Sequence, residues 1–223
     1  MAQWWTYRPE DMLLFSPRVY WRMFELHNAA LWPLQAGMLV AGLAMIVLAV
    51  RRPAVHGRWI ALVLAVIWAF VGWSFVWSRY AAINWAVAYL VPLFALQSVL
   101  LALVALLPGG VACGRRDFAC WIGLALAGMA LILYPLLPWL SGAPSSQAEI
   151  FGLAPDPTAI GTMGLLLLAQ GRWLPLLFIV PLCWCLVTAL TLWTLGTPQA
   201  WLPTGAIGSV LASGAWAALR RRR

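Results

Sequence analysis

Long apolar runs separated by short polar gaps dominate the chain. A helix that crosses a bilayer needs ~20 mostly apolar residues. Runs of that kind cover 29–50, 59–78, 82–107, 120–140, 174–196 and 201–219. A further run, 158–170, has only 13 residues. At ~1.5 Å per residue it reaches roughly 20 Å, against a hydrocarbon core of ~30 Å. The pattern predicts an all-α polytopic membrane protein with seven transmembrane helices, the fifth short, in a domain over 29–219. Residues 1–28 carry no such run. There, Ser16-Pro17 reads as an N-cap followed by a first helical residue. Arg18, Arg22 and Glu25 then fall at i, i+4 and i+7, with Val19, Tyr20, Met23, Phe24 and Leu31 on the opposite arc. This spacing predicts an external amphipathic helix lying in the membrane interface and feeding the first span at Trp32-Pro33. Residues 220–223 form a basic cytoplasmic tail.

Arginines decide whether 158–170 counts as a crossing. With seven spans and an external N-terminus, one side holds Arg51, Arg52, Arg58, Arg115, Arg116, Arg172 and Arg220 to Arg223. The other holds Arg8, Arg18, Arg22 and Arg79. Were 158–170 re-entrant, Arg172 and the tail would change sides and most of the positive charge would lie outside. The positive-inside rule therefore favours seven spans, N-terminus out and C-terminus cytoplasmic. Ten tryptophans (32, 59, 77, 85, 121, 139, 173, 193, 201 and 216) fall at or near span ends, where an interfacial aromatic belt forms. Met1 to Tyr7 has no basic region ahead of an apolar run, so no cleaved signal peptide is expected.

Composition removes whole classes of function. Of 223 residues, 64% are apolar and 9% charged, and mean hydropathy is +0.89. A soluble domain carries roughly 25% charged residues, so a soluble enzyme is excluded, and so is a disulfide scaffold. The net charge of +8 would suggest nucleic acid in a soluble chain, but here the arginines flank apolar runs and meet lipid head groups; no nucleic-acid partner is expected. No lysine is present, which excludes a retinal Schiff base. The four cysteines (Cys113, Cys120, Cys183, Cys185) match no metal spacing. His27 and His56 lie on opposite sides of the predicted membrane, so they cannot ligate one haem. No catalytic, cofactor or metal constellation is found, and an enzyme is not expected.

Candidate chemistry gathers at the external end: Arg18, Arg22, Glu25, His27, Asn28, Arg79, Asn84, Glu149 and Asp156. Gln35 and Gln97 add amides within the spans, and Thr158 follows the polar loop 141–157. No acid, arginine or histidine is predicted at mid-span, which argues against ion coupling. Glu25 and His27 are close enough in sequence for an external proton-binding pair. A permease predicts a hydrated cavity reaching Gln97 from outside. Gly205, Ser209, Ser213 and Ala217 place a small residue at every fourth position of the last helix. Such a ridge suits close helix packing, within the chain or against a second copy or a membrane partner.

The stretch W-W-T-Y-R-P-E-D-M-L-L-F-S-P-R-V-Y-W-R-M-F-E-L-H-N-A-A-L-W-P-L-Q near the start, R-Y-A-A-I-N-W at 79–85, F-A-L-Q at 94–97, F-G-L-A-P-D-P-T at 151–158 and G-L-L-L-L-A at 164–169 resemble a bacterial family of multi-pass inner-membrane proteins carrying a domain of unknown function. The resemblance covers nearly the whole chain. It implies fold and location; members are sometimes loosely labelled permeases. The expectation is an integral inner-membrane protein, permease-like, binding or passing a small solute through the external polar cluster. The alternative is a non-catalytic membrane subunit or assembly partner of a larger complex.

Overall fold

The computed structural model describes residues 15–51, 54–114 and 117–221. Arg8, Arg52, Arg115, Arg116, Arg222, Arg223 and most of the predicted segment before Pro17 lie outside them. Helix α1 spans Pro17–Ala30 and α2 spans Leu34–Arg51. Helix α3, Ala54–Val71, continues as a π-helical stretch over Gly72–Tyr80 and a last turn, Ala81–Ile83. Asn84 caps the 3-10 turn Trp85–Leu90 through Ala86 N at 3.1 Å, which leads into α4, Val91–Leu106. Helix α5, Phe118–Gly128, passes through a π segment, Met129–Leu133, into α6, Tyr134–Leu140. Helix α7 is Pro155–Leu167, α8 is Leu174–Thr194 and α9 is Trp201–Arg221.

Among the described residues six helices are long and apolar enough to cross a membrane: Leu34–Arg51, His56–Ile83, Trp85–Leu106, Phe118–Leu140, Leu174–Thr194 and Pro198–Arg220. They match six of the predicted runs. Helix α7 has the predicted 13 residues but begins and ends three residues earlier. Pro155 supplies the fixed φ of a first helical turn, where its missing N–H costs nothing. At the other end Ala169–Gln170 pairs antiparallel with Ala112–Cys113 instead of extending the helix.

That small hairpin marks one end of the bundle, and α1 marks the other. Each long helix reverses the direction of the one before it, and the segment 141–170 returns the chain from the α1 end to the hairpin end. All 13 residues of α7 are buried. It packs backbone to backbone on α5, because a Cβ on Gly164 would lie 2.7 Å from Gly123 O and from Ala127 N. The outer surfaces are apolar: Val40, Val66, Val99, Ile132 and Leu186 are exposed near the middle of their helices. In the C-x-C of α8, Cys183 is exposed and Cys185 buried, the opposite faces that helical geometry requires.

Helix α1 turns its stripe Tyr20, Met23, Phe24 and His27 into the bundle, while Val19 and Leu26 stay exposed. The stripe is held by rings: Tyr20 meets Tyr80 at 5.9 Å and Phe24 meets Phe75 at 4.9 Å.

Candidate functional site

The predicted polar residues separate into three groups. Arg18, Arg22, Glu25 and Arg79 come together, with Trp21, Ser78 and Gln147, around a groove of about 720 Å³ on the outside of α1. Arg22 is ion-paired with Glu25, and Glu25 also accepts from Gln147 at 2.8 Å. The Gln147 amide first, and Arg22 second, hold the Glu25 carboxyl below its ordinary range.

A second group is absorbed by the architecture. Asn28 donates to Ser146 O and Ala148 O, each at 2.8 Å, and so clamps the loop onto α1. Gln35 donates to Asn28 O at 2.8 Å, which ties α2 to α1. Gln97 is fully buried and donates to Leu177 O at 2.9 Å. It lines none of the three cavities described at the two ends of the bundle, and its burial leaves it out of reach of solvent in this conformation. His27 does not pair with Glu25. Its ring lies edge-on to Phe75 at 5.0 Å.

The third group lies beneath the loop. Gly152, at φ +81°, turns the chain inwards. Its N–H donates to Thr158 Oγ1 at 2.8 Å, and that hydroxyl donates to Ala154 O at 2.6 Å. Thr158 thereby locks the loop to the start of α7. Asp156 follows in the first helical turn, where the macrodipole favours a carboxylate. Its Oδ1 accepts from Trp184 Nε1 at 2.7 Å and Thr188 Oγ1 at 2.8 Å. These partners lie in the middle of α8 and in its half towards the α1 end, and Asp156 is buried inside the bundle. Its Oδ2 has no partner. The Trp184 ring continues edge-on to Phe94 at 4.9 Å and to Tyr80 at 6.5 Å, joining this carboxylate to the aromatic stack on α1.

Glu149, also buried, is within electrostatic reach of Asp156. It lines a second cavity at this end, of about 400 Å³, with Trp21, Tyr134, Pro138 and Gln199. Glu149 Oε2, Tyr134 Oη and Gln199 Oε1 are all buried without a hydrogen-bond partner. An unpaired buried polar atom costs ~1–3 kcal/mol, a cost that a partner with matching hydrogen-bonding groups would relieve. Sequence reasoning missed Tyr134, Gln199, Trp184 and Tyr80. The signal for Tyr134 was present, since it is the one hydroxyl in the run 120–140. Gln199 sits in a span-joining turn that carried no other mark.

Among the described residues no group of three His, Cys, Asp or Glu stands close enough to hold a metal ion. Comparison with curated proteins and with solved structures gives no match. A model of a family of unknown function, DUF6064, matches residues 17–219, from the first residue of α1 almost to the end of α9, and the chain belongs to that family.

Proposed function

We propose that this protein is a bacterial inner-membrane protein that crosses the bilayer seven times, with its N-terminus outside, α1 in the outer interface and its C-terminus in the cytoplasm. It binds a small polar solute at the outer end of the bundle, as a permease-like solute-binding protein without a catalytic step. The alternating helix directions and the arginine distribution support the orientation. The observation that carries the binding site is that three residues lining one cavity, Tyr134, Glu149 and Gln199, each hold a buried polar atom without a hydrogen-bond partner. The buried Gln97 makes this a reading of binding at the outer end, with passage requiring another conformation.

The test is a thermal-shift panel of neutral, anionic and cationic small solutes on the detergent-purified protein. At least one class raises the melting midpoint, and Ser141→Trp, which fills the cavity from its exposed rim, abolishes the effect. A flat response to every class would remove the reading. A second reading, a non-catalytic subunit or homo-oligomer joined through α9, is supported by Gly205, Gly208 and Gly214, where an added Cβ would meet nothing within 4 Å.

A further inference from the structure

The chemistry of the cavity walls selects among solutes, a selection that rests on the solute-site reading. Of the three unpartnered atoms, Gln199 Oε1 only accepts hydrogen bonds, Glu149 Oε2 only accepts once a paired cation has ionised the carboxyl, and the Tyr134 hydroxyl can donate or accept. A guest that satisfies them must bring N–H or O–H donors. A carboxylate or phosphate would set acceptors against acceptors.

Charge points the same way. Glu149 is 3% exposed and is the acidic residue among those lining the cavity; burial first, and the neighbouring Asp156 second, push its carboxyl well above the ordinary carboxylate range, which favours the neutral form until a cation pairs with it. Among the described residues no arginine lines the cavity; Arg18, Arg22 and Arg79 line the neighbouring groove instead. Asp156 adds a second acidic group behind Glu149. A buried charge is tolerated when an opposite charge and further hydrogen bonds meet it, and among the described residues nothing supplies that partner to Glu149 Oε2. Ser141, Gln147 and Thr197 add polar side chains, and the remaining wall is apolar and aromatic, with Trp21, the Tyr134 ring, Leu137, Pro138 and Pro198. Such rings attract cations across their faces and accept a short hydrocarbon body. A volume of about 400 Å³ lies in the range of small-molecule sites.

We propose that this cavity takes a small organic cation, a primary ammonium or guanidinium on a short apolar body, with its charged head on Glu149, Tyr134 and Gln199.

The experiment compares isosteric probes on the full chain in neutral detergent. Butylammonium, butylguanidinium, 1-butanol and butyrate are titrated at matched ionic strength while the melting midpoint is followed. Either cation raises the midpoint, and the alcohol and the carboxylate do not. In Glu149→Gln, which keeps the side chain's shape, the cation's apparent Kd weakens by at least about tenfold, as loss of a charge-assisted bond requires. Tyr134→Phe weakens it less. Stabilisation by butanol or butyrate that equals or exceeds that of the cations overturns the cation assignment and leaves the solute site standing. So does a panel response confined to neutral or anionic solutes. Cation binding unchanged in a folded Glu149→Gln variant also overturns it. No response to either cation overturns it too, and silence across the whole panel removes both readings. The wild-type series decides by itself if the variant does not fold.

Discussion

His27 lies on the buried stripe of α1, with Nε2 unpartnered and a backbone hydrogen bond to Leu153. Burial first, and the Arg79 charge second, bring its pKa down from 6.5 to about 4, against the smaller opposing effect of that bond. In the fold the ring stays neutral to about pH 4, whereas in the unfolded chain it takes a proton near 6.5. Between those values the unfolded state binds more protons. Stability is therefore full above 6.5 and falls as pH drops towards 4, by up to about 3 kcal/mol from this residue. His27→Phe removes that contribution, so its melting midpoint in detergent should fall less than wild type between about pH 7 and about pH 4.5. Parallel curves would show that His27 is not the titrating group. At this scale the sequence displayed which residues are polar but not their surroundings. Glu25 and His27 are two apart in the chain and face different neighbours, because one lies on the solvent side of α1 and the other against Phe75.

Helix α7 is the element on which the site depends, since its first turn holds Asp156 and Thr158. Its tight seat comes from glycine. At Gly164 an added Cβ would meet backbone, Gly123 O and Ala127 N, at 2.7 Å, and backbone cannot rotate away. Gly164→Ala should cost about 2–3 kcal/mol, the upper range for overpacking. The same change at Gly208, on an open face of α9, should gain up to about 1 kcal/mol from helix propensity. Paired unfolding curves check this, and equal effects at the two positions would refute the backbone contact. Each π segment also ends at a buried tyrosine: Gly72–Tyr80 closes on Tyr80, in the aromatic stack on α1, and Met129–Leu133 is followed by Tyr134, which lines the cavity. The short helix was legible from its length and flanking prolines. The π segments were not, because one extra residue in a helical turn leaves no mark in the hydrophobic pattern.

Across the whole molecule the apolar surface faces outward along the helices, and indoles gather at their ends. Trp32, Trp121 and Trp139 are more than 70% exposed, an arrangement that suits the membrane interface. The orientation is checked by labelling. With the native cysteines replaced, a cysteine at Ser145 should react with a membrane-impermeant reagent from the periplasmic side, and a reporter fused after Arg223 should be active in the cytoplasm. The opposite pattern would invert the topology and place the cavity on the inner face.

The apolar runs by themselves determined that this chain belongs in a bilayer, how many long helices it has and where its arginines cluster, because these follow from local sums along the sequence. Only the tertiary structure decided that Tyr134, Glu149 and Gln199 share a cavity, that Asp156 meets Trp184 and Thr188, and that Gln97 is sealed. The physical reason is the solvent. In water, one polar face tells a helix which way to turn. In lipid, the outside is as oily as the core, so helices apolar on every side carry no such instruction, and their rotation is set by packing at contacts such as Gly123 on Gly164.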